Sequence, residues 1–211
     1  DGSDEQRLLD ANQTLEARDD FGFVINQSNQ NLTIQERRYW VDVPKGAEIA
    51  IIGNPQEAEK VSQMLDDLLQ WFEEETEREN LSVALLTPYV NQSRTIRKEA
   101  NIVLEKREAS IKGTRCTVRL GNNRIVTVFC STVDKFQGQE ADVVILSLRN
   151  VRRQGNIDSP NRANVALTRA REALFIVGNR ENYKNARDPM LKRLAKGIKI
   201  ADENTYWSGK T

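Results

Sequence analysis

The sequence predicts an α/β protein, a parallel sheet flanked by helices on both faces. Three observations lead there. Apolar, β-branched runs recur along the chain, among them LSVALLT, RIVTVF, ADVVILSL and ALFIVG. These runs are continuous rather than alternating, as strands buried on both faces are. Longer segments of helical periodicity lie between them, so strand and helix succeed one another in order. Ligands in such sheets bind beyond the carboxyl ends of the strands, where Thr87-Pro88-Tyr89, Ser131 to Glu140 and Gly178-Asn179 fall. The expectation is that these three stretches share one edge.

Taken in order, residues 1–37 are polar and rich in Asn, Gln and Asp. Leu8, Leu9 and Leu15 suggest a short helix, and Phe21, Phe23 and Ile25 alternate like a strand. This segment reads as a link from an upstream domain, and residues 38–211 as one domain. RYWVDV is a strand closed by the turn PKG, and EIAIIG a short strand candidate. Asn54 then caps a helix with Pro55 in its first turn and Glu57 at the capping-box position. Val61, Met64, Leu65, Leu68, Leu69 and Phe72 give that helix a core face. LSVALLTPY is a buried strand ending at Pro88, followed by the amphipathic helix VNQSRTIRKEANIVLEKRE. Ser110 to Asn123 reads as a loop or hairpin. Strand RIVTVF, the stretch STVDKFQGQE and strand ADVVILSL come next. Asn161 to Arg171 reads as a helix, ALFIVG as a strand, NRENYKNARDPMLKRLAKG as one or two helices and IKIAD as a last strand.

Composition narrows the function classes. The 211 residues are 38% hydrophobic and 29% charged, the balance of a globular protein. Lys+Arg and Asp+Glu stand at 31 each, so net charge gives no argument for nucleic acid. The chain has no histidine, which removes His-based zinc sites, Ser-His-Asp triads and His general bases. Its two cysteines make no disulfide framework and read as reduced thiols, with an intracellular (cytoplasmic or nuclear) setting expected. No apolar run approaches the roughly 20 residues of a membrane span, so no membrane partner is expected.

Three stretches offer chemistry. In STVDKFQGQE, Gly138 presents an unobstructed backbone N–H, Gln137 donates and accepts, and Glu140 is an acceptor suited to ribose hydroxyls or a cation. In SPNRANVALTRAREALFIVGN, a helix would bring Arg162, Val165 and Arg169 to one side, and an arginine beside a buried face suits phosphate. In VALLTPYVNQ, Thr87 and Tyr89 end a strand where a nucleic-acid backbone or base could be met. Each also has an ordinary reading: a polar turn, an exposed basic helix, and a corner bent by proline.

Together the three resemble the motifs of superfamily 1 helicases, in the branch of the nonsense-mediated-decay and Senataxin-like enzymes. TPYVNQ is similar to motif IV, STVDKFQGQEADVVILS to motif V, and NRANVALTRAREALFIVGN to motif VI. NPQEA resembles the helix start found upstream in these proteins. The resemblance runs from about Tyr39 to Arg180. It implies a RecA-like P-loop NTPase fold and a second motor domain, with ATP and Mg2+ held mainly by a first RecA-like domain. Arg169 would be the arginine finger. Gln137, Gly138, Glu140 and Arg162 would line the nucleotide side. Thr87, Tyr89, Thr132 and Arg94 would meet a single strand of DNA or RNA, and Asp134 would order the loop. Polarity of 5′ to 3′ is implied by the branch.

The match has departures. Asn161 stands where the family often has a first arginine, Ala163 replaces a larger apolar residue, and SLRN is one residue short of the family's segment. A Tyr-Arg-Met opening is not visible. The closing SGKT is no P-loop, since its first glycine would fall at Asn204. IKIADE mimics an acidic metal-binding strand end but lies after motif VI, so no metal ligand is expected here. The chain alone is therefore expected not to turn over ATP. The competing reading is a degenerate RecA-like module that docks nucleic acid or protein without motor activity.

Overall fold

The computed structural model describes residues 38–43, 53–74, 78–149, 167–186 and 189–201. Residues 1–37, most of the EIAIIG candidate and residues 161–166 of the predicted helix lie outside them, Arg162 included.

The described elements follow the expected alternation. Strand β1 is Arg38–Asp42, helix α1 Pro55–Glu74, β2 Asn80–Thr87 and α2 Val90–Glu105. The hairpin expected between 110 and 123 is completed by β3 Arg115–Arg119 and the long strand β4 Ile125–Thr132. A 3-10 turn at Asp134–Phe136 leads to β5 Ala141–Ser147. Strand β6 is Ala170–Gly178, followed by two helices, α3 Arg180–Lys184 and α4 Pro189–Gly197, and the short β7 Lys199–Ile200.

One boundary differs from the sequence reading. The helix expected to reach Arg171 stops earlier: Ala170 already pairs with Ala141, and the strand runs on through Gly178. Sheet pairing on β5 outweighs the helical periodicity of VALTRAR, because residues 173–177 must be buried on both faces. Arg169 therefore precedes a strand instead of sharing a helix face with Arg162.

Among the described residues the sheet has seven strands in the order β3-β4-β2-β5-β6-β1-β7. Of these pairs only β3–β4 is antiparallel. The others pair in parallel, β2 with both β4 and β5, and β1 with both β6 and β7. Successive side chains in a strand point to opposite faces, and here each face has its own core. Val83, Leu85, Val143, Ile145 and Phe175 pack with α1 and α2, where Met64, Leu65, Leu68 and Phe72 are fully buried. Ala84, Leu86, Val144, Leu146, Leu174 and Ile176 face Phe136, Leu167, Tyr183, Leu191 and Leu194 on the other side. The predicted core face of α1 is the observed one, all six positions being buried.

Arg180 ties the last elements together. Its Nε donates to the Ala195 carbonyl at 2.6 Å and its Nη2 to that of Ile198 at 2.7 Å, while its backbone N–H donates to Asp42 Oδ1 at 2.9 Å. The carbonyls at the end of α4, which lack partners within the helix, are thus satisfied by a cation, the favoured sign there.

Candidate functional site

The parallel register separates the predicted site into two edges rather than one. Thr87 pairs with Thr132 at the carboxyl ends of β2 and β4. Val83 pairs with Val143, which sets the start of β5 at the level of Leu81, near the amino end of β2. The residues 133–140 that join β4 to β5 therefore travel back along β2 by six register positions, about 20 Å at a strand's rise per residue. They form a crossover, and Gln137 to Glu140 emerge at the amino edge. Between parallel strands the join has to cross from the carboxyl edge to the amino edge, so a single shared edge did not follow from the predicted sheet.

Phe136 anchors the crossover. It is 1% exposed and meets Phe129 edge-on with ring centroids 5.4 Å apart. Phe136 to Gln139 form a type II β-turn: Gln137 has φ −57 and ψ 135, Gly138 has φ +80, and the Gln139 N–H donates to the Phe136 carbonyl at 3.1 Å. A Cβ on Gly138 would meet nothing within 4 Å, so the glycine is required by backbone conformation and not by a crowded neighbour. Gln137, Gly138, Gln139 and Glu140 are all exposed.

Arg169 comes to the same edge. Its Nη1 donates to the Gln139 carbonyl at 3.3 Å and its Nη2 to Thr168 Oγ1 at 3.0 Å, and its own carbonyl accepts the Ala141 N–H at 3.0 Å. The arginine and the turn of FQGQ are thus neighbours. Beneath them lies an ionic layer. Glu172 is fully buried and takes two bonds from Arg78 Nη1, at 3.2 and 3.1 Å. Asp142 takes Arg78 at 3.3 Å, Arg171 at 2.9 Å, and the backbone N–H and hydroxyl of Ser82 at 2.8 and 2.7 Å. Asp142 and Glu172 follow Glu140 and Arg169 closely in sequence, so the layer fixes the strand starts that carry them. Arg38, at the start of β1, is 3% exposed, its Nε and Nη2 have no hydrogen-bond partner among the described residues, and burial lowers its pKa to about 10.

At the carboxyl edge Thr87 is fully buried and Thr132 nearly so, with Thr87 Oγ1 accepting the Tyr89 N–H at 3.4 Å. Tyr89 is half-buried and caps α2 without a side-chain bond, and Arg94 is exposed on that helix. Around them lies a buried polar network that the sequence reading found only at its start. Asn54 Oδ1 accepts the Glu57 N–H at 3.2 Å, which is the expected N-cap. The reciprocal half of a capping box does not form. The Asn54 N–H goes to Gln92 Oε1 at 2.6 Å, and Gln92 Nε2 returns to the Asn54 carbonyl at 3.1 Å and to Ser147 Oγ at 3.0 Å. The Glu57 carboxylate accepts from Asn54 Nδ2 at 3.0 Å, Ser147 Oγ at 2.7 Å and the Arg149 N–H at 2.7 Å. Gln92, Ser147 and Arg149 carry no signal of this in isolation, because the contacts span 38 to 95 positions of sequence.

Among the described residues no group of three His, Cys, Asp or Glu could hold a metal ion. No described helix is long and apolar enough to cross a membrane.

A family model described as an AAA domain matches residues 5–181. The chain belongs to this family of superfamily 1 helicases. It is 32% identical over 134 residues to Helicase sen1 of Schizosaccharomyces pombe, covering 62% of this chain and 7% of that one. An uncharacterized ATP-dependent helicase of Methanocaldococcus jannaschii is 26% identical over 150 residues, 71% of this chain and 18% of its own length. The Regulator of nonsense transcripts 1 homolog of Drosophila melanogaster is 50% identical over 52 residues, 23% of this chain and 4% of its own. The chain thus spans less than a fifth of each of these relatives. They place this helicase domain in the branch its motifs resemble, and the sheet with helices on both faces is the RecA-like arrangement of that family.

Proposed function

We propose that this helicase-family chain is the second motor domain of an ATP-dependent enzyme acting on single-stranded DNA or RNA, and that it supplies the arginine finger and part of the strand track. One observation carries the reading. Arg169 and the exposed residues Gln137 to Gln139 meet at the amino edge, while Tyr89, Thr132 and Arg94 gather at the opposite edge, and the crossover 133–140 joins the two. A domain that couples a nucleotide to a strand needs such a two-ended arrangement.

In this reading Arg169 stabilises negative charge developing on the terminal phosphate, as guanidinium groups do in phosphoryl transfer. Gln137, Gly138 and Glu140 line the nucleotide side with it, and Arg162 adds a second cation. The two arginines, Gln137 and the Gly138 N–H are donors that suit a polyphosphate anion, Glu140 is an acceptor that suits ribose hydroxyls, and ATP supplies the transferable phosphoryl group when bound. In this reading Mg2+ is held mainly by the upstream RecA-like domain, as the resemblance implies. Arg94, Thr132 and Tyr89 face the strand, and the buried Thr87 acts by fixing Tyr89. The chain alone does not turn over ATP.

The test is the ATPase rate of the full-length protein, with and without single-stranded DNA or RNA, for wild type and Arg169→Ala. Nucleic acid stimulates hydrolysis, and the substitution lowers the rate by roughly a thousandfold or more while ATP still binds. A silent Arg169→Ala would instead support the docking-platform reading.

A further inference from the structure

Strand β3 ends the described sheet on one side, and its ladder with β4 shows which groups it turns outward. The Cys130 N–H donates to the Thr114 carbonyl at 2.8 Å, and the Leu120 N–H donates to the Arg124 carbonyl at 2.9 Å. In an antiparallel pair every second residue bonds the partner strand, so Thr114, Cys116, Val118 and Leu120 face β4 with their backbone groups. The N–H and C=O groups of Arg115, Thr117 and Arg119 therefore point away from the sheet. All three residues are exposed, and no hydrogen bond or ion pair is found for them among the described residues.

This edge is straight and held. Its five residues include no proline and pair with β4 without a register shift. The tip of the hairpin is tied to the end of α1, where the Gly121 N–H donates to Glu73 Oε1 at 2.8 Å and Arg124 Nη1 donates to the Glu73 carbonyl. The opposite edge of the described sheet is β7, only two residues long, which is one way a fold blunts an edge. Side chains alternate along β3. Val118 is buried in the core beneath α1 and α2, and Cys116 lies half-exposed beside it. Arg115, Thr117 and Arg119 share the other face, across from the half-buried Phe129, Thr127 and Ile125. The two guanidinium groups thus rise from the same face of the edge, from backbone positions about 13 Å apart at a strand's rise per residue.

We propose that β3 is the docking edge for an extended acidic segment of a partner protein, which adds to the sheet as a further antiparallel strand. Backbone bonds to Arg115, Thr117 and Arg119 hold the segment, and side chains at alternate positions select it. Register sets the pattern. Acids at the first and fifth positions face the two arginines, whose planar forks match carboxylates. A β-branched residue at the third position faces Thr117. Apolar residues at the second and fourth cover Cys116 and Val118. A second copy of this chain fits poorly, because two β3 strands paired about Thr117 set arginine against arginine at both ends. The site involves neither Arg169 nor the carboxyl edge, so it stands apart from the motor reading.

The test is binding of a labelled peptide with the core Glu-Val-Thr-Val-Glu to the full-length protein at low salt. The double variant Arg115→Glu/Arg119→Glu weakens binding about ten- to thirtyfold, because two attractive cross-strand pairs become two repulsive ones. A peptide with lysine at both acid positions binds this variant and not wild type, an exchange that a misfolded variant cannot give. N-methylation of the central threonine of the peptide removes its bond to the Thr117 carbonyl and abolishes binding. The bound peptide slows labelling of the half-exposed Cys116 by a disulfide reagent. Binding that survives N-methylation would refute strand addition and leave a charge contact alone. If the acidic peptide does not bind, the arginines serve only to keep the edge unpaired. If dT20 or rU20 loses affinity in the double variant while the peptide does not, the edge takes a phosphate backbone and the acidic-segment proposal is wrong.

Discussion

Removing Arg78 should destabilise this domain far more than removing Arg171, although both arginines contact Asp142. The side chain of Arg78 is 16% exposed, and its Nη1 contacts both carboxylate oxygens of Glu172, whose side chain is fully buried. Arg78→Ala takes that contact away and leaves a carboxylate in the interior, a change that costs about 3–5 kcal/mol when one partner of a buried pair is lost. Arg171 is 37% exposed. Without it Asp142 still has Arg78 and both donors of Ser82, so Arg171→Ala should cost about 1 kcal/mol, as for a partly exposed pair. Urea unfolding of the two variants beside wild type measures the difference directly, as a shift of midpoint at constant slope. The double variant Arg78→Met/Glu172→Leu should recover much of the loss, because an apolar pair of similar volume escapes the desolvation of two ions. Equal losses for the two arginines, or no recovery in the double variant, would refute the assignment of Glu172 as a buried acid held by Arg78.

Gly138→Ala should cost about 1 kcal/mol, the left-handed penalty less the entropy that alanine removes from the unfolded chain. Gly138→Asn should cost less, and thermal melts that show no loss for alanine would exclude the type II turn. Arg38→Met should raise stability by about 1–3 kcal/mol, because it removes a buried charge whose pKa burial lowers to about 10. A drop in stability on denaturant titration would show that Arg38 holds a partner. Burial raises the Cys116 and Cys130 thiols to about 11, above their unfolded value. The stability they contribute is full below about pH 9 and is lost as pH climbs through 11, and at pH 8 only about one thiol in a thousand is ionised. A disulfide reagent at pH 8 should therefore label the buried Cys130 only as the protein unfolds and the partly exposed Cys116 slowly, and prompt labelling of Cys130 in the native protein would contradict this.

Much of the fold was legible because the strands are continuous apolar runs. Val83 to Leu86 and Val143 to Leu146 need cover on both faces, and only a parallel sheet between helices provides it. The core stripe of α1 was equally plain, since helical spacing alone selects Val61, Leu65 and Leu68. Strand order was not legible. Nothing in RIVTVF or ADVVILSL says that both pair with LSVALLT. The tight turn at Gly138 was legible as the ordinary reading of QGQE, while its left-handed φ of +80 was not. Gln92 and Ser147 looked like ordinary polar residues, because their partners are set by packing over long sequence distances.

The buried network at the carboxyl edge has a consequence for exchanging parts among related proteins. Asn54 and Glu57 open α1, Gln92 opens α2, and Ser147 and Arg149 end β5, three pieces of chain that complete one another's hydrogen bonds. A side chain on Gly53, which has φ +95, would collide with Gln92 Oε1, so even the residue ahead of the cap is matched to a distant helix. A chimera that grafts one of these pieces from a relative with a different set inherits donors without acceptors in a dry interior. A chimera that carries all three should fold. The three segments form one transferable cassette, though they lie far apart in the gene.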